Sequence, residues 1–363
     1  MTKANLSIEP RMRVRSMPEY YPPLGNRDSI RLDFNENTVA CSPAVLATLH
    51  SITAADLTRY PEREPVEALA AQHLGLKPEE VVLTNGVDEA IHILSQAFLD
   101  AGDELLLPVP TYTMYGIYAA ATEAAIVQVP AASDFCFPYE ALLAAITPRT
   151  KLIAIANPNS PTGSVATRGQ IIALAQAAPH ALVLVDEAYY HFYGETVLDL
   201  ISTIPNIIVA RTFSKAYGLA ALRLGLLAGS PMHLQWARRV LSPYSVNHVA
   251  LTCLTAALND QSYLDCYVNE VTQARSEFLA ALKGLGLRHW PTQANFVLVE
   301  IGTAHKQFVT AMQQQGVLMR DRSADPGCDG CVRITIGTRS QMQLALAAIE
   351  TFLHSLQPAG VTP

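Results

Sequence analysis

Short apolar runs rich in Val, Ile and Leu recur along the first two thirds of the chain, at residues 81–84, 104–107, 125–129, 152–156, 182–185, 207–210 and 222–227. Most are separated by segments with helical spacing, at 88–99, 113–122, 138–145 and 167–178. Runs this short and apolar on both faces read as strands buried on both sides, and their alternation with helices predicts a mostly parallel sheet of about seven strands. Beyond residue 229 the pattern changes to helices at 231–239, 247–259 and 263–285, then strand, helix, two strands (317–321 and 332–336) and a last helix at 340–356. This second set predicts a smaller α+β unit. The first forty residues are rich in Pro, Arg and Tyr and lack helical period, which predicts an extended arm ending in a strand near residues 30–34. The expected division is an arm at 1–45, a large α/β unit at 46–260 and a small α+β unit at 261–363.

In an open parallel sheet, ligands sit beyond the carboxyl ends of the strands. The residues just past the predicted strands are Asn85-Gly-Val-Asp-Glu89, Pro108 to Tyr112, Asn157 to Gly163, Asp186-Glu-Ala-Tyr189 and Thr212 to Lys215. Polar and aromatic side chains gather there, which marks this edge as the candidate site.

Composition narrows the classes. Half of the 363 residues are hydrophobic and 16% are charged, as in a globular protein long enough to bury a large core. The net charge of -7 and the lack of a Lys/Arg-rich run argue against a nucleic-acid partner. No apolar stretch spans a bilayer, the N-terminal residues contain no signal-like apolar run, and six scattered cysteines suit a reducing compartment, so the expected location is the cytoplasm. Cys328 and Cys331 have C-x-x-C spacing, but no second pair or His cluster completes a zinc site, and no metal is expected.

The candidate chemistry centres on Arg211-Thr-Phe-Ser-Lys-Ala-Tyr-Gly-Leu-Ala-Ala-Leu-Arg223. A Lys can form a Schiff base with a carbonyl, while the hydroxyls of Thr212 and Ser214 and the guanidinium of Arg223 suit a phosphate dianion, so the stretch fits an aldehyde that bears a phosphate. Asn85-Gly-Val-Asp-Glu89 opens a helix whose free N–H groups and dipole would also favour a phosphate. Tyr112 is placed to stack on a planar ring. Asp186 ends a buried strand, where a carboxylate is costly unless it meets a cation or donor, and a pyridinium nitrogen would supply one.

The ordered set Asn157-Pro-Asn-Ser-Pro-Thr-Gly163, Asp186-Glu-Ala-Tyr189, the stretch 212–223 and Val332-Arg-Ile-Thr-Ile-Gly337 resembles the fold-type I, class I/II aminotransferases that use pyridoxal 5'-phosphate. Asp33-Phe-Asn-Glu-Asn37, Arg59-Tyr-Pro61, Pro110-Thr-Tyr-Thr-Met-Tyr115 and Arg320-Asp321 extend the likeness over nearly the whole chain, most of all to the histidinol-phosphate aminotransferase family.

The resemblance implies that Lys215 holds the cofactor covalently and, once freed by substrate, acts as general base at Cα. It implies that Asp186 pairs with the ring nitrogen, Tyr189 contacts the ring oxygen and Tyr112 stacks on the ring. Phosphate contacts would come from Val87, Asp88, Thr212, Ser214 and Arg223, and from Tyr60 of a second subunit, which implies a homodimer with shared sites. The residue before Pro-Thr-Gly is usually Asn in this family and meets the ring oxygen; here it is Ser160, so either Asn159 shifts in or Tyr189 carries the contact alone. Arg333 and Arg320, with Tyr20 or Tyr21 of the arm and Asn35, are the expected substrate-binding residues.

The implied reaction is ping-pong transamination of histidinol phosphate with 2-oxoglutarate, giving imidazole acetol phosphate and glutamate. An aromatic amino-acid aminotransferase or a threonine-phosphate decarboxylase would use nearly the same parts. A non-catalytic cofactor-binding module is disfavoured by the joint presence of Lys215, Asp186 and Arg223 and by the lack of a basic helix-turn-helix.

Overall fold

The structure is a computed structural model and describes residues 8–17, 19, 25 and 28–356. Two sheets organise it. The larger contains β2 (Val81–Thr84), β3 (Glu104–Val109), β4 (Ala125–Pro130), β5 (Thr150–Ala156), β6 (Leu182–Asp186), β7 (Ile207–Thr212) and β8 (Gly225–Gly229). Their spatial order is β2-β8-β7-β6-β5-β3-β4, and β8 runs antiparallel to both of its neighbours while the other pairs are parallel.

The continuous apolar runs hide an alternation. Leu83, Ile153, Val183, Val185, Ile207 and Val209 pack into one core, and Val82, Leu152, Leu184, Ile208 and Leu227 pack into a second core. Successive side chains of a strand point to opposite faces, so helices must cover both.

The smaller sheet has the order β1-β10-β11-β9, from β1 (Ile30–Leu32), β9 (Phe296–Glu300), β10 (Val317–Asp321) and β11 (Cys331–Thr335). Strand β1 pairs parallel with β10, Ile30 opposite Val317, which fixes the following residues 33–37 over the edge of the large sheet. The helices Gln261–Gly284 and Arg339–Leu356 pack on each other beside this sheet.

One element departs from the expected pattern. The strand expected at 222–227 begins only at Gly225, because Ala220–Leu222 closes a 3-10 turn and Arg223 adopts a left-handed backbone (φ 54°). The turn that delays the strand is what turns Arg223 toward the helix Gly86–Phe98, where it meets Asp88.

Candidate active site

The carboxyl ends of β6 and β7 lie side by side, with Asp186 in register with Ala210. Alternation sends neighbouring side chains to opposite faces, and on the far face Glu187 and Arg211 form a buried ion pair of 2.7 Å, with the guanidinium lying 3.5 Å from the Tyr190 ring centroid. This pair clamps the two strand ends that carry Asp186 and Thr212.

Val87, Asp88, Tyr112, Asp186, Tyr189, Thr212, Ser214, Lys215 and Arg223 all line one cavity at this edge, together with Tyr115 and Ser160. Larger clefts of about 570 and 490 Å³ occur elsewhere, but neither contains a lysine, so size does not mark the reactive centre. Lys215 enters from the loop after β7, and its Nζ donates to the carbonyl oxygen of Phe34 at 2.8 Å.

Asp186 is a buried carboxylate without a counter-charge among the described residues. Its carboxylate is 5% exposed, accepts from the Tyr115 hydroxyl at 2.6 Å and from the Ala188 N–H at 3.0 Å, and has no ion-pair partner among the described residues. Burial pushes its pKa up to about 6, against the two hydrogen bonds that pull it down. A buried carboxylate with donors but no cation is the group that a pyridinium nitrogen would satisfy.

At the other end, Arg223 Nη2 meets Asp88 Oδ2 at 2.9 Å, and Asp88 Oδ1 accepts from the Tyr112 hydroxyl at 2.7 Å. Gly86 opens this corner: at φ 78°, a Cβ built on it would lie 2.6 Å from Arg223 Nη2. The start of the helix Gly86–Phe98, the residues Thr212 and Ser214 and the Arg223 guanidinium therefore line the same cavity as Asp186 and Lys215, and together they offer donors for a phosphate. The donor set fits pyridoxal 5'-phosphate at both ends.

The ring-oxygen side differs from expectation. Asn159 does not line the cavity: its amide donates to the Pro110 carbonyl (2.9 Å) and to Thr162 Oγ1 (2.8 Å), and its Oδ1 accepts from Thr111 Oγ1 (2.7 Å). Every polar atom of that side chain is used in tying the loop together, so it cannot swing into the place of the missing amide. Ser160 faces the cavity, and its hydroxyl accepts from Arg333 Nη1 at 2.9 Å. Tyr189 remains for the ring oxygen, and its hydroxyl already accepts from Asn35 Nδ2 at 2.9 Å, which leaves the phenolic hydrogen free to donate.

Asn35 is likewise placed otherwise than expected for a direct substrate contact. It sits at φ 55°, its Oδ1 accepts from Thr335 Oγ1 (3.2 Å), its N–H donates to the same hydroxyl (3.0 Å), and its carbonyl accepts from Asn295. Its amide supports Tyr189 instead.

The two arginines of the small sheet meet. Arg333 is 8% exposed; its Nη2 donates to the Asp33 carbonyl at 2.7 Å and its Nε is buried without an acceptor. Burial lowers its pKa to about 10. Arg320 lies over the Phe34 ring at 5.3 Å and also keeps a buried nitrogen, Nη1, without an acceptor. Asp321 pairs with His305 and Asp325 with Arg322, so Arg320 makes no direct ion pair among the described residues, although the charges of Asp325 and Asp33 reach it. Tyr20 and Tyr21 lie outside the described residues. Tyr60 is 78% exposed and stacked on Tyr244 at 4.4 Å, in a different cleft from Lys215.

Cys328 and Cys331 are free, buried thiols packed with Phe135 and Trp290, and burial raises their pKa to about 12 and about 11. Among the described residues no His, Cys, Asp and Glu cluster could hold a metal, and no helix is long and apolar enough to cross a membrane.

Sequence reading alone did not single out the Tyr115 hydroxyl, Thr335 or the Phe34 carbonyl. Tyr115 ends the stretch Pro110-Thr-Tyr-Thr-Met-Tyr115, but a phenol that reaches the end of another strand has no sequence signature.

Comparison with known proteins agrees with the site. The family model described as aminotransferase class I and II matches residues 27–349. The histidinol-phosphate aminotransferase of Moorella thermoacetica is 33% identical over 361 residues, 97% of this chain and 92% of that protein. Histidinol-phosphate aminotransferase 1 of Nostoc sp. is 33% identical over 350 residues, 95% of this chain and 98% of that protein. Among solved structures, histidinol-phosphate aminotransferase from Sinorhizobium meliloti in complex with pyridoxal 5'-phosphate superposes with a TM-score of 0.86 at 27% identity, covering 96% of this chain and 98% of that one. The chain belongs to the class I and II aminotransferases and is a pyridoxal 5'-phosphate-dependent enzyme of that family.

Proposed function

We propose that the chain transfers the amino group of histidinol phosphate to 2-oxoglutarate, giving imidazole acetol phosphate and glutamate. The observation that carries this reading is the pair Arg320 and Arg333, two cations beside the cofactor cavity, each with a buried nitrogen lacking an acceptor and neither directly ion-paired to a carboxylate among the described residues. Two guanidinium forks match a phosphate monoester, and the same forks accept the carboxylates of the second substrate. The names of the relatives support the same donor.

When bound, the cofactor supplies an electron sink for the bond broken at the substrate's α-carbon. The residues of the chain do the rest. Asp186 holds a proton at the ring nitrogen, Tyr189 donates to the ring oxygen and Tyr112 covers the ring. Thr212, Ser214, Arg223 and the N–H groups near Val87 and Asp88 hold the phosphate. Lys215 would hold the cofactor and, once its amine is free, would serve as the general base that takes the substrate's α proton.

The reading includes a homodimer. Tyr60 is exposed and lines a different cleft from Lys215, which supports its donation to the phosphate of the partner's cofactor. It also places an arm at 1–45, the cofactor-binding unit at 46–260, the small unit at 261–363, and the enzyme in the cytoplasm.

The test is a half-reaction screen of the cofactor-loaded enzyme, following bleaching of the bound cofactor's absorbance with histidinol phosphate, phenylalanine, tyrosine and phosphothreonine in turn. Fast bleaching by histidinol phosphate is expected. Faster bleaching by the aromatic amino acids would replace the donor, and loss of carbon dioxide from phosphothreonine would replace the reaction.

A further inference from the structure

We propose that Tyr115 is a positioning residue for the transamination, whose phenol orients Asp186 and keeps the proton they share with the cofactor on the ring nitrogen rather than on the carboxylate. The inference rests on the reading that Asp186 faces the ring nitrogen.

Tyr115 stands on the helix Met114–Ala121 and is 1% exposed. A phenylalanine would fill the same volume. A hydroxyl buried this deeply is costly unless it is used, and the partner it has is Asp186 Oδ2 at 2.6 Å. Desolvation and the neighbouring carboxylate hold the Tyr115 pKa well above its ordinary value, so the phenol keeps its hydrogen and remains a donor.

Asp186 has two oxygens and two donors, Tyr115 on Oδ2 and the Ala188 N–H on Oδ1. One donor on each oxygen fixes the carboxylate plane and leaves lone pairs toward the cavity. The charged groups that bear on Asp186 are Asp88 from the helix Gly86–Phe98 and Glu187 beside it, both of which favour its protonation. Lys215 and Arg223 line the same cavity. Against two like charges and a dry setting, the Tyr115 hydrogen bond makes the carboxylate the weaker base, and the proton settles on nitrogen.

Tyr115 also joins the two ends of the site. Its ring meets that of Tyr112 edge-on, at 5.8 Å and 88°, and the Tyr112 hydroxyl donates to Asp88, the partner of Arg223. One connected set of contacts thus runs from the ring-nitrogen residue to the phosphate corner.

The experiment loads wild type, Tyr115→Phe and Asp186→Asn with cofactor labelled with nitrogen-15 in its ring, and records the nitrogen chemical shift and the cofactor Kd. Tyr115→Phe should move the shift toward the unprotonated ring, weaken cofactor binding about tenfold, the worth of one hydrogen bond to a charged group, and lower kcat more than it raises KM. Asp186→Asn should move the shift further.

An unchanged shift and Kd in Tyr115→Phe, with both changed in Asp186→Asn, would overturn the role of Tyr115. No change in Asp186→Asn would instead overturn the placement of Asp186 at the ring nitrogen. If Tyr115→Phe does not fold, 3-fluorotyrosine placed at position 115 replaces it: the stronger donor should move the shift toward the protonated ring, and no movement overturns the proposal.

Discussion

Arg320 and Arg333 stand directly opposite each other on the antiparallel strands β10 and β11. Like charges in that position repel; among the described residues neither forms a direct ion pair, and the relief they have comes at a distance, from Asp325 for both and from Asp33 for Arg320. The arrangement is costly without an anion and ready for one. The two arginines also differ in what else they hold, which separates their roles.

Arg320→Ala should lower kcat/KM for the phosphate-bearing donor on the order of 10- to 100-fold, the worth of a charge-assisted hydrogen bond, with thermal stability unchanged or raised because the repulsion is gone. Arg333→Ala should impair donor and 2-oxo acid alike and also lower the Tm, since Arg333 binds the Asp33 carbonyl and Ser160. Steady-state kinetics with each substrate varied, beside thermal melts, give the four numbers needed. Equal KM values for both substrates in Arg333→Ala and wild type would remove it from the site.

How much of this was legible beforehand follows from what each feature depends on. The strands of the large sheet are continuous apolar runs because both faces are covered, so their existence can be read from sequence; β8 runs Gly225–Gly229 rather than 222–227, its start delayed where Arg223 adopts a left-handed backbone and its end two residues later. Lys215, Asp186 and Arg223 were legible because each sits at a strand end and carries a chemistry that burial alone would not select. Asn159 was misjudged for a different reason. Its neighbours in space, Thr111 and Pro110, come from a loop nearly fifty positions earlier, and only the folded arrangement shows that its amide is already taken. A still longer separation in sequence, 71 positions, hid the contact of Tyr115 with Asp186.

Lys215 donates a hydrogen bond to the Phe34 carbonyl and, among the described residues, is the only lysine lining the cavity. Lys215→Ala should therefore lose turnover by at least about 10³-fold, as expected when a general base and covalent anchor is removed, while the phosphate corner and Asp186 still retain cofactor noncovalently. The bound-cofactor spectrum and single-turnover assays test both halves. Wild-type turnover in this variant would end the assignment.

Asp186 links cofactor binding to pH-dependent stability. Its folded pKa, about 6, lies above the unfolded value of 3.8, so the folded cofactor-free chain binds the extra proton between these limits. The stability it contributes is fully present below the unfolded pKa and is lost as pH rises through about 6, in total on the order of 3 kcal/mol. Asp186→Asn removes this slope. Urea midpoints of the cofactor-free proteins should show the variant gaining on wild type between pH 4 and pH 8, while its affinity for cofactor falls. Parallel curves for the two proteins would mean that Asp186 titrates near its ordinary value.

Gly86 and Gly75 allow the phosphate corner to be tested apart from backbone strain. Both adopt positive φ, 78° and 70°, so Ala at either position suffers a left-handed backbone costing roughly 1–2 kcal/mol. Only at Gly86 would the new Cβ press on Arg223, 2.6 Å from Nη2, whereas nothing lies within 4 Å at Gly75. Both variants should lose similar stability as cofactor-free proteins, but Gly86→Ala alone should weaken cofactor binding, by about tenfold if one guanidinium contact is lost. Gly75 ends the helix Glu64–Leu74 on a different cleft, so its cofactor affinity should match wild type. Comparable weakening in both variants would show that strain is the cause, and an unaffected Gly86→Ala would mean that Arg223 holds the phosphate from a position the added methyl does not reach.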